Sequence, residues 1–376
     1  MSVEVIMTGR LGNNLFQYAI GRIIAEHHRF ELNCEPPKRS VLAFMGRELD
    51  IGLSATLDGL QDLFPNAPLH ITGRRSEIPF ENFDMHTDGL WNSHTIDLDG
   101  LLANPTPRKI RLLGNFQRYQ YLEPFQDSIR HWFDFRSPPC PYEVRPKDVV
   151  LNIRRGFDFW LHDATLSMSY YHHALGQLRD VGAVYICGTG LDDQVRSSLS
   201  EYSPVYYDAT PAEHFGFIKR FDRIILSNST FAWWAAFLSN ATEILGPRST
   251  GGCRIGLSGV GDVDLNMNEP RYYEIDVTSR AEPALTVSTN VAAVKPGGDN
   301  TMLVHFTDRA PTSISSLLGD NEWLEQYVQQ REPLYVAELR KRFRGAHGGL
   351  PSFLAQLVSS GFISKEPIYI DEGASH

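Results

Sequence analysis

The sequence predicts an α/β protein built on parallel, Rossmann-like sheets, and three observations carry that prediction. Apolar strands alternate with helix-length segments from residue 148 to 245, the pattern a parallel sheet needs because each strand must return through a crossover. The chain opens in the same way, with a strand, a glycine-bearing loop, an amphipathic stretch and a second strand within residues 3–33. At 376 residues, 42% hydrophobic and 11% aromatic, it can bury a large core in two or three domains, and 21% charged residues is too few for a disordered chain.

Composition removes several function classes. The net charge is −10, and the densest basic cluster, residues 340–344, is short and interrupted by Phe343, so no surface tracks a nucleic-acid backbone. Cys34, Cys140, Cys187 and Cys253 are widely spaced with no CxxC pair, which argues against a structural zinc site or a disulfide scaffold and for a reducing cytoplasm. A strand begins at once, with no basic segment and apolar run before it. No apolar stretch approaches the roughly 20 residues of a membrane span, so a cytoplasmic protein without its own anchor is expected.

In chain order, residues 3–7 read as a strand, followed by the loop from Thr8 to Asn14 and a helix from about Leu15. Phe16, Ile20, Ile23, Ile24 and His27 recur at helical spacing, and residues 30–33 form the next strand. Gly9 and Gly12 allow a tight turn and close backbone approach, while Asn13 and Asn14 place amides at the helix start. A ligand loop and a purely structural loop both fit. Residues 36–107 are irregular and rich in aromatics. A strand at 111–114 leads into Gly114-Asn115-Phe116-Gln117-Arg118-Tyr119-Gln120-Tyr121, expected as an exposed polar–aromatic turn of the sort that lines sugar sites or packs at a helix start. A helix at 124–133 and a proline-rich linker at 136–141 follow.

The second α/β segment begins with a strand at 148–153 that runs into Arg154-Arg155-Gly156. Paired guanidiniums at the carboxyl end of a parallel strand suit phosphate oxygens; the alternative is a surface ion pair with Asp158 or Asp163. A turn with Tyr170 and Tyr171 starts a helix to 178. Strands at 183–187 and 205–207, a helix after Gly190, and a helix at 211–220 lead to a strand at 223–227; one at 243–245 closes the series. Between the last two lies Ser227-Asn228-Ser229-Thr230-Phe231, a polar turn directly before an apolar helix. Its hydroxyls and unpaired N–H groups sit at the positive end of a helix dipole, a setting for an anion. The alternative is an ordinary cap on a buried helix, with Trp233 and Trp234 as packing.

Three of these stretches, in order, resemble the alpha-1,2-fucosyltransferase family and its GDP-fucose-dependent relatives. Gly9-Arg10-Leu11-Gly12-Asn13-Asn14-Leu15-Phe16-Gln17-Tyr18-Ala19 is similar to the family's G-x-G-N-Q-x-F-Q-Y-A signature. Asn152-Ile153-Arg154-Arg155-Gly156 is similar to its H-x-R-R-G-D motif, and Ser227 through Ala236 to its S-N-S-S-F-S-W-W-x-A motif. Gly114-Asn115-Phe116-Gln117 and Tyr170-Tyr171 with Ala174 add weaker agreement. The likeness covers about residues 3–247. Two positions depart from it: Asn152 stands where the family has histidine, and Phe157 stands where it has aspartate, with Asp158 one place late.

The resemblance implies a GT-B-like fold, with two Rossmann-type domains facing a cleft. Residues 1–140 would form the acceptor-side domain, 141–281 the donor-binding domain, and 282–376 a linker and a small auxiliary module. It further implies inverting transfer of L-fucose from GDP-L-fucose to a hydroxyl, such as the 2-OH of a galactose, on a glycan or glycolipid-linked precursor. The donor would be the only cofactor-like ligand, with no metal. Arg154 would hold the diphosphate, with Asn13 and Asp158 as further catalytic candidates. Gly12, Asn152, Arg155, Ser227, Asn228, Ser229, Thr230 and Phe231 would contact the donor. The acceptor hydroxyl must lose a proton, and Asp158, His162 and Asp163 are candidates by proximity, each also readable as a solvated loop residue. Other readings are a transferase using a different nucleotide sugar and a non-catalytic GDP-sugar or glycan-binding homologue.

Beyond residue 281 the pattern changes. Residues 282–299 read as a linker or edge strand, 303–306 as a strand, and 314–330, 333–342 and 350–359 as helices before a Gly361-Phe362-Ile363 turn and an extended end. The arrangement resembles a winged-helix module without a coherent basic face; a packing or homodimerisation appendage is the alternative. Peripheral association with a membrane-linked acceptor fits the same reading.

Overall fold

The computed structural model describes residues 1–7, 9–35, 63–67, 84–88, 95–104, 109–156, 159, 164–249, 265–277, 281–285, 287–296, 301–315, 324, 327–329, 334–336, 339, 353–354, 357–358, 360–363 and 368–371. The chain is α/β and divides into two compact units. The first comprises Met1–Arg39, Asp50–Arg154 and Ser169–Thr278, and the second Ser40–Leu49, Arg155–Met168 and Ser279–His376. Among the described residues no helix is long and apolar enough to cross a membrane.

The first unit holds two all-parallel sheets. In one, β1 (Ser2–Ile6), β2 (Glu31–Glu35), β3 (Asp84–Asp88) and β4 (Ile110–Gly114) lie in the order β2-β1-β4-β3. Helix α1 (Leu11–His28) crosses from β1 to β2 and buries Leu15, Phe16, Ala19, Ile20, Ile23 and Ile24. It starts four residues before the expected Leu15: Asn14 N–H already bonds the Arg10 carbonyl at 3.0 Å, so the polar loop residues form its first turn. A buried ion pair, Arg111 to Glu4 at 2.7 Å, joins β4 to β1; the mutual pairing is what makes two charges tolerable there. Helix α2 (Leu98–Ala103) is capped by the Asp97 side chain.

The stretch after β4 departs from expectation. Phe116, Gln117 and Tyr119 are buried, because Phe116 adopts φ +52° and turns its ring into the core. Helices α3 (Tyr119–Leu122) and α4 (Gln126–Trp132) follow.

The second sheet contains β5 (Val149–Arg154), β6 (Val184–Thr189), β7 (Val205–Tyr206), β8 (Arg223–Ile225), β9 (Glu243–Ser249) and β10 (Tyr272–Val277), in the order β10-β9-β8-β5-β6-β7. Every pairing is parallel. Val149, Val150, Leu151, Ile153, Ile224 and Ile225 are buried, as expected for strands covered on both faces. Contrary to expectation β9 does not close the sheet: β10 extends it, pairing Tyr272 with Ile244 and Val277 with Ser249. Helices α5 (Met168–Gln177), α6 (Asp193–Ser198), α7 (Pro211–Ile218) and α8 (Thr230–Phe237) complete the unit. Helix α7 opens on a reciprocal box in which Thr210 and Glu213 satisfy each other's backbone N–H groups.

Helix α8 is apolar almost all round and packs against α1. Phe16 lies 5.0 Å from Trp233 and 4.8 Å from Trp234, and Phe133 lies 5.3 Å from Trp234. Residues of both sheets thereby share one hydrophobic core. Arg271 closes the other end of α8, donating to the carbonyls of Phe237 at 3.0 Å and Ser239 at 2.8 Å while paired with Glu269 at 2.5 Å. A cation is well placed at a helix carboxyl end.

The second unit has its own core, including Leu285, Val304, Leu324, Val336, Phe353 and Leu357. Strand β11 (Ala281–Leu285) is central, between β15 (Leu334–Tyr335) and β16 (Ile368–Asp371), so the expected linker or edge strand is an interior strand. Strands β12 (Val291–Pro296), β13 (Thr301–Phe306) and β14 (Thr312–Ser315) form an antiparallel meander. The helix expected from 314 is preceded by strand at its first two positions, while residues 324 and 327–329 are helical.

Candidate functional site

In open parallel sheets, ligands bind outside the carboxyl ends of the strands where the connections reverse direction. Each sheet of the first unit has one such point. In the first, β1 lies between β2 and β4, and the chain leaves it through Gly9 and Arg10 into α1. It leaves β4 through Asn115, Phe116 and Gln117. In the second, β5 lies between β6 and β8; β5 ends at Arg154, and β8 ends two residues before Ser227. The three sequence motifs therefore occupy the switch points of both sheets.

The two points meet at one side chain. Asn13 Oδ1 accepts from Thr230 Oγ1 at 3.0 Å and from Gln117 Nε2 at 2.9 Å, joining the starts of α1 and α8 to the turn after β4. Gly12 lies beside this cluster, buried against the first turn of α8. A Cβ there would collide with Thr230 Oγ1 and sit 2.5 Å from Phe231 N and 2.6 Å from the Thr230 carbonyl carbon. Its glycine is a packing requirement set by the first turn of α8. Gly9, at φ +76°, passes beneath Asn13 Nδ2.

Ser227 and Asn228 are buried. Ser227 Oγ donates to Asn152 Oδ1 at 2.6 Å, tying β5 to the turn after β8. Cys187, the register neighbour of Asn152 on β6, is buried, which pushes its thiol up to about 12, while the nearby Asn152 amide acts in the opposite direction. The position where histidine was expected thus binds the sheet's own residues. Tyr170 OH donates to the Leu226 carbonyl at 2.6 Å, and burial holds the phenol well above its usual range, so it stays a donor. These bonds fix the turn from behind.

At its front, Ser229 caps α8 with extended backbone, φ −97° and ψ 125°, and its side chain makes no capping bond. Its hydroxyl and the first-turn N–H groups lie at the positive end of the helix dipole, a setting that suits an anion. Thr230 has given its hydroxyl proton to Asn13, so toward a ligand that oxygen can only accept. Phe231 packs its ring on Phe215 at 5.3 Å. Arg154 is half-buried, with Nη1 donating to Thr189 Oγ1 at 3.0 Å across the ends of β5 and β6. Arg155 is buried and belongs to the second unit. Phe157, Asp158, His162 and Asp163 lie outside the described residues.

Sequence reasoning assigned no role to Gln117 or Thr189. Gln117 carried a signal, since Gly114-Asn115-Phe116-Gln117 belongs to the resemblance; Thr189 carried none. Among the described residues no group of three His, Cys, Asp or Glu side chains converges, so no metal-holding set is assigned.

No protein-family model matches the chain, and no curated protein matches it. Among solved structures it is similar to E. coli heptosyltransferase WaaC with ADP, at TM-score 0.36 and 9% identity over 73% of this chain and 93% of that one. It is also similar to an Arabidopsis thaliana FUT1 mutant in complex with GDP, at TM-score 0.34 and 15% identity over 65% and 69%. Fucosyltransferase NodZ from Bradyrhizobium is similar at TM-score 0.27 and 11% identity over 64% and 92%.

Proposed function

We propose that the protein is an inverting glycosyltransferase that moves L-fucose from GDP-L-fucose to a sugar hydroxyl, the 2-OH of a galactose or a similar sugar, on a glycan or glycolipid-linked precursor. The observation that carries this reading is the convergence of motifs far apart in sequence on the switch points of two parallel sheets, joined through Asn13.

The chemistry matches the groups. As the bond to fucose breaks, positive charge grows on the sugar and negative charge on the departing diphosphate. Arg154 supplies a guanidinium to that diphosphate. Ser229 Oγ and the α8 first-turn N–H groups supply neutral donors that need no reorganisation as charge develops. Asn152, Ser227 and Tyr170 hold the turn, and Asn13 holds Thr230. The acceptor's proton passes to a carboxylate or imidazole in the segment after Arg155, with Asp158 the residue proposed.

The test is GDP release with candidate acceptors by wild type and Arg154→Ala. A loss on the order of 10²-fold in kcat is expected from removing one charged stabiliser; equal turnover ends the arginine's role. One observation favours a second reading, a transferase with another nucleotide: the Asn152 amide oxygen is taken by Ser227 Oγ. Thermal-shift ranking of GDP, UDP, ADP and dTDP separates the two, because a ligand that binds only the native state raises its stability.

A further inference from the structure

We propose that Gln117 is a positioning residue: it locks the Asn13 amide so that Asn13 Nδ2 is held as a hydrogen-bond donor over the Gly9 turn, toward an oxygen of the bound sugar or diphosphate. The catalytic consequence rests on the transferase reading above; the locked amide does not.

Three observations carry it. An amide oxygen has two acceptor sites, and on Asn13 both are taken, by Gln117 Nε2 and Thr230 Oγ1. Rotating the amide by half a turn would set its N–H₂ against the Gln117 N–H₂, whereas the Thr230 hydroxyl could turn to accept, so it is Gln117 that sets the orientation. The orientation puts Nδ2 directly above the α-carbon of Gly9, which has φ +76° and is exposed, and there Nδ2 has no acceptor among the described residues. Finally, the backbone makes an unusual effort to aim Gln117. Phe116 stands at φ +52°, a region bulky side chains avoid, and Arg118 N–H closes the turn onto the Phe116 carbonyl at 2.8 Å. The wholly buried Phe116 ring holds this conformation, and the next side chain, Gln117, is thereby turned back onto α1. Simple packing would need neither the strained turn nor an amide donor at its end.

The experiment uses the full chain with Gln117→Glu, Gln117→Ala and Thr230→Val. The Gln117→Glu variant keeps size and polarity but presents an acceptor to Asn13 Oδ1 at neutral pH, so a space-filling role survives it and the locked amide does not. With GDP-fucose and the best acceptor, kcat relative to wild type is expected to fall about tenfold or more at pH 8 with donor KM within about threefold. The deficit should narrow toward pH 5, where protonation returns an O–H donor. Wild-type kcat at pH 8, or a deficit equal at both pH values, overturns the proposal. A second arm needs no donor. Urea unfolding of Gln117→Ala, Thr230→Val and the double variant should depart from additivity by more than about twofold in the folding equilibrium, since both bond one acceptor. A wild type that turns over no nucleotide sugar defeats the transferase reading; the coupling then decides alone, and additivity overturns the proposal.

Discussion

Alanine at position 12 is the sharpest probe of the junction between the sheets. The added Cβ would sit 2.5 Å from Phe231 N and 2.6 Å from the Thr230 carbonyl carbon, against 3.4 Å for ordinary contact. These are backbone atoms, so no rotamer change relieves the overlap. The starts of α1 and α8 must part by about 0.9 Å. That stretches the 3.0 Å bond between Thr230 Oγ1 and Asn13 Oδ1 past hydrogen-bonding range. Overpacking costs about 1–3 kcal/mol and the lost bond about 1 kcal/mol, with a few tenths returned by replacing glycine in a helix. A net loss near 2 kcal/mol should lower Tm by roughly 4–8 °C. Turnover should fall on the order of 10²-fold, because the displaced groups include the turn proposed to hold the diphosphate. Scanning calorimetry and GDP release measure the two effects. Gly176→Ala is the control: the position is exposed in α5, and the methyl that alanine adds there meets no atom within 4 Å, so Tm should hold or rise slightly. A Gly12→Ala protein with Tm within about 1 °C and turnover within about twofold of wild type would refute the junction as described.

Other expectations follow from features away from the turn. Arg271→Gln should destabilise by about 2–3 kcal/mol, because the Phe237 and Ser239 carbonyls lose a charged donor and Glu269 its partner; an unchanged guanidinium midpoint would remove Arg271 as the clasp of α8. His214 is buried, which depresses its imidazole, and its Nε2–H donates to the Tyr207 carbonyl at 3.0 Å. The folded state then favours the neutral ring, so this contribution is complete above about pH 6.5 and is lost as pH falls through the depressed folded value. Urea midpoints from pH 7.5 down to 5 should drop more steeply for wild type than for His214→Gln, and parallel curves would contradict the assignment.

The second parallel sheet was legible in the sequence because strands buried on two faces show as Val, Leu and Ile runs, as in residues 149–151, whereas in the first sheet β3, Asp-Met-His-Thr-Asp, lay in the stretch read as irregular. Strand β10, Tyr-Tyr-Glu-Ile-Asp-Val, escaped because it is an edge: Tyr273 is half exposed and Glu274 exposed, so no apolar run marks it. The site was legible as residues and not as contacts. Asn13 lies 104 positions from Gln117 and 217 from Thr230, and nothing in local pattern announces such a bond. The turn at Phe116 was read as exposed because its letters are polar; a left-handed aromatic residue, held there by a core formed elsewhere, has no sequence signature. Asn152 reads as a ligand position because its motif points to one, and its bond from Ser227, 75 positions away, is not visible there.

The seam between α1 and α8 also sets a schedule for biogenesis. Phe16 leaves the ribosome well before Trp233 and Trp234, whose rings pack on it. At about 5–20 residues per second, the 217 positions separating the bonded partners Asn13 and Thr230 take roughly 10–40 s to synthesise. Throughout that interval Phe16 lacks the two indole rings that cover it in the finished fold, so the seam closes only after most of the first unit has been made.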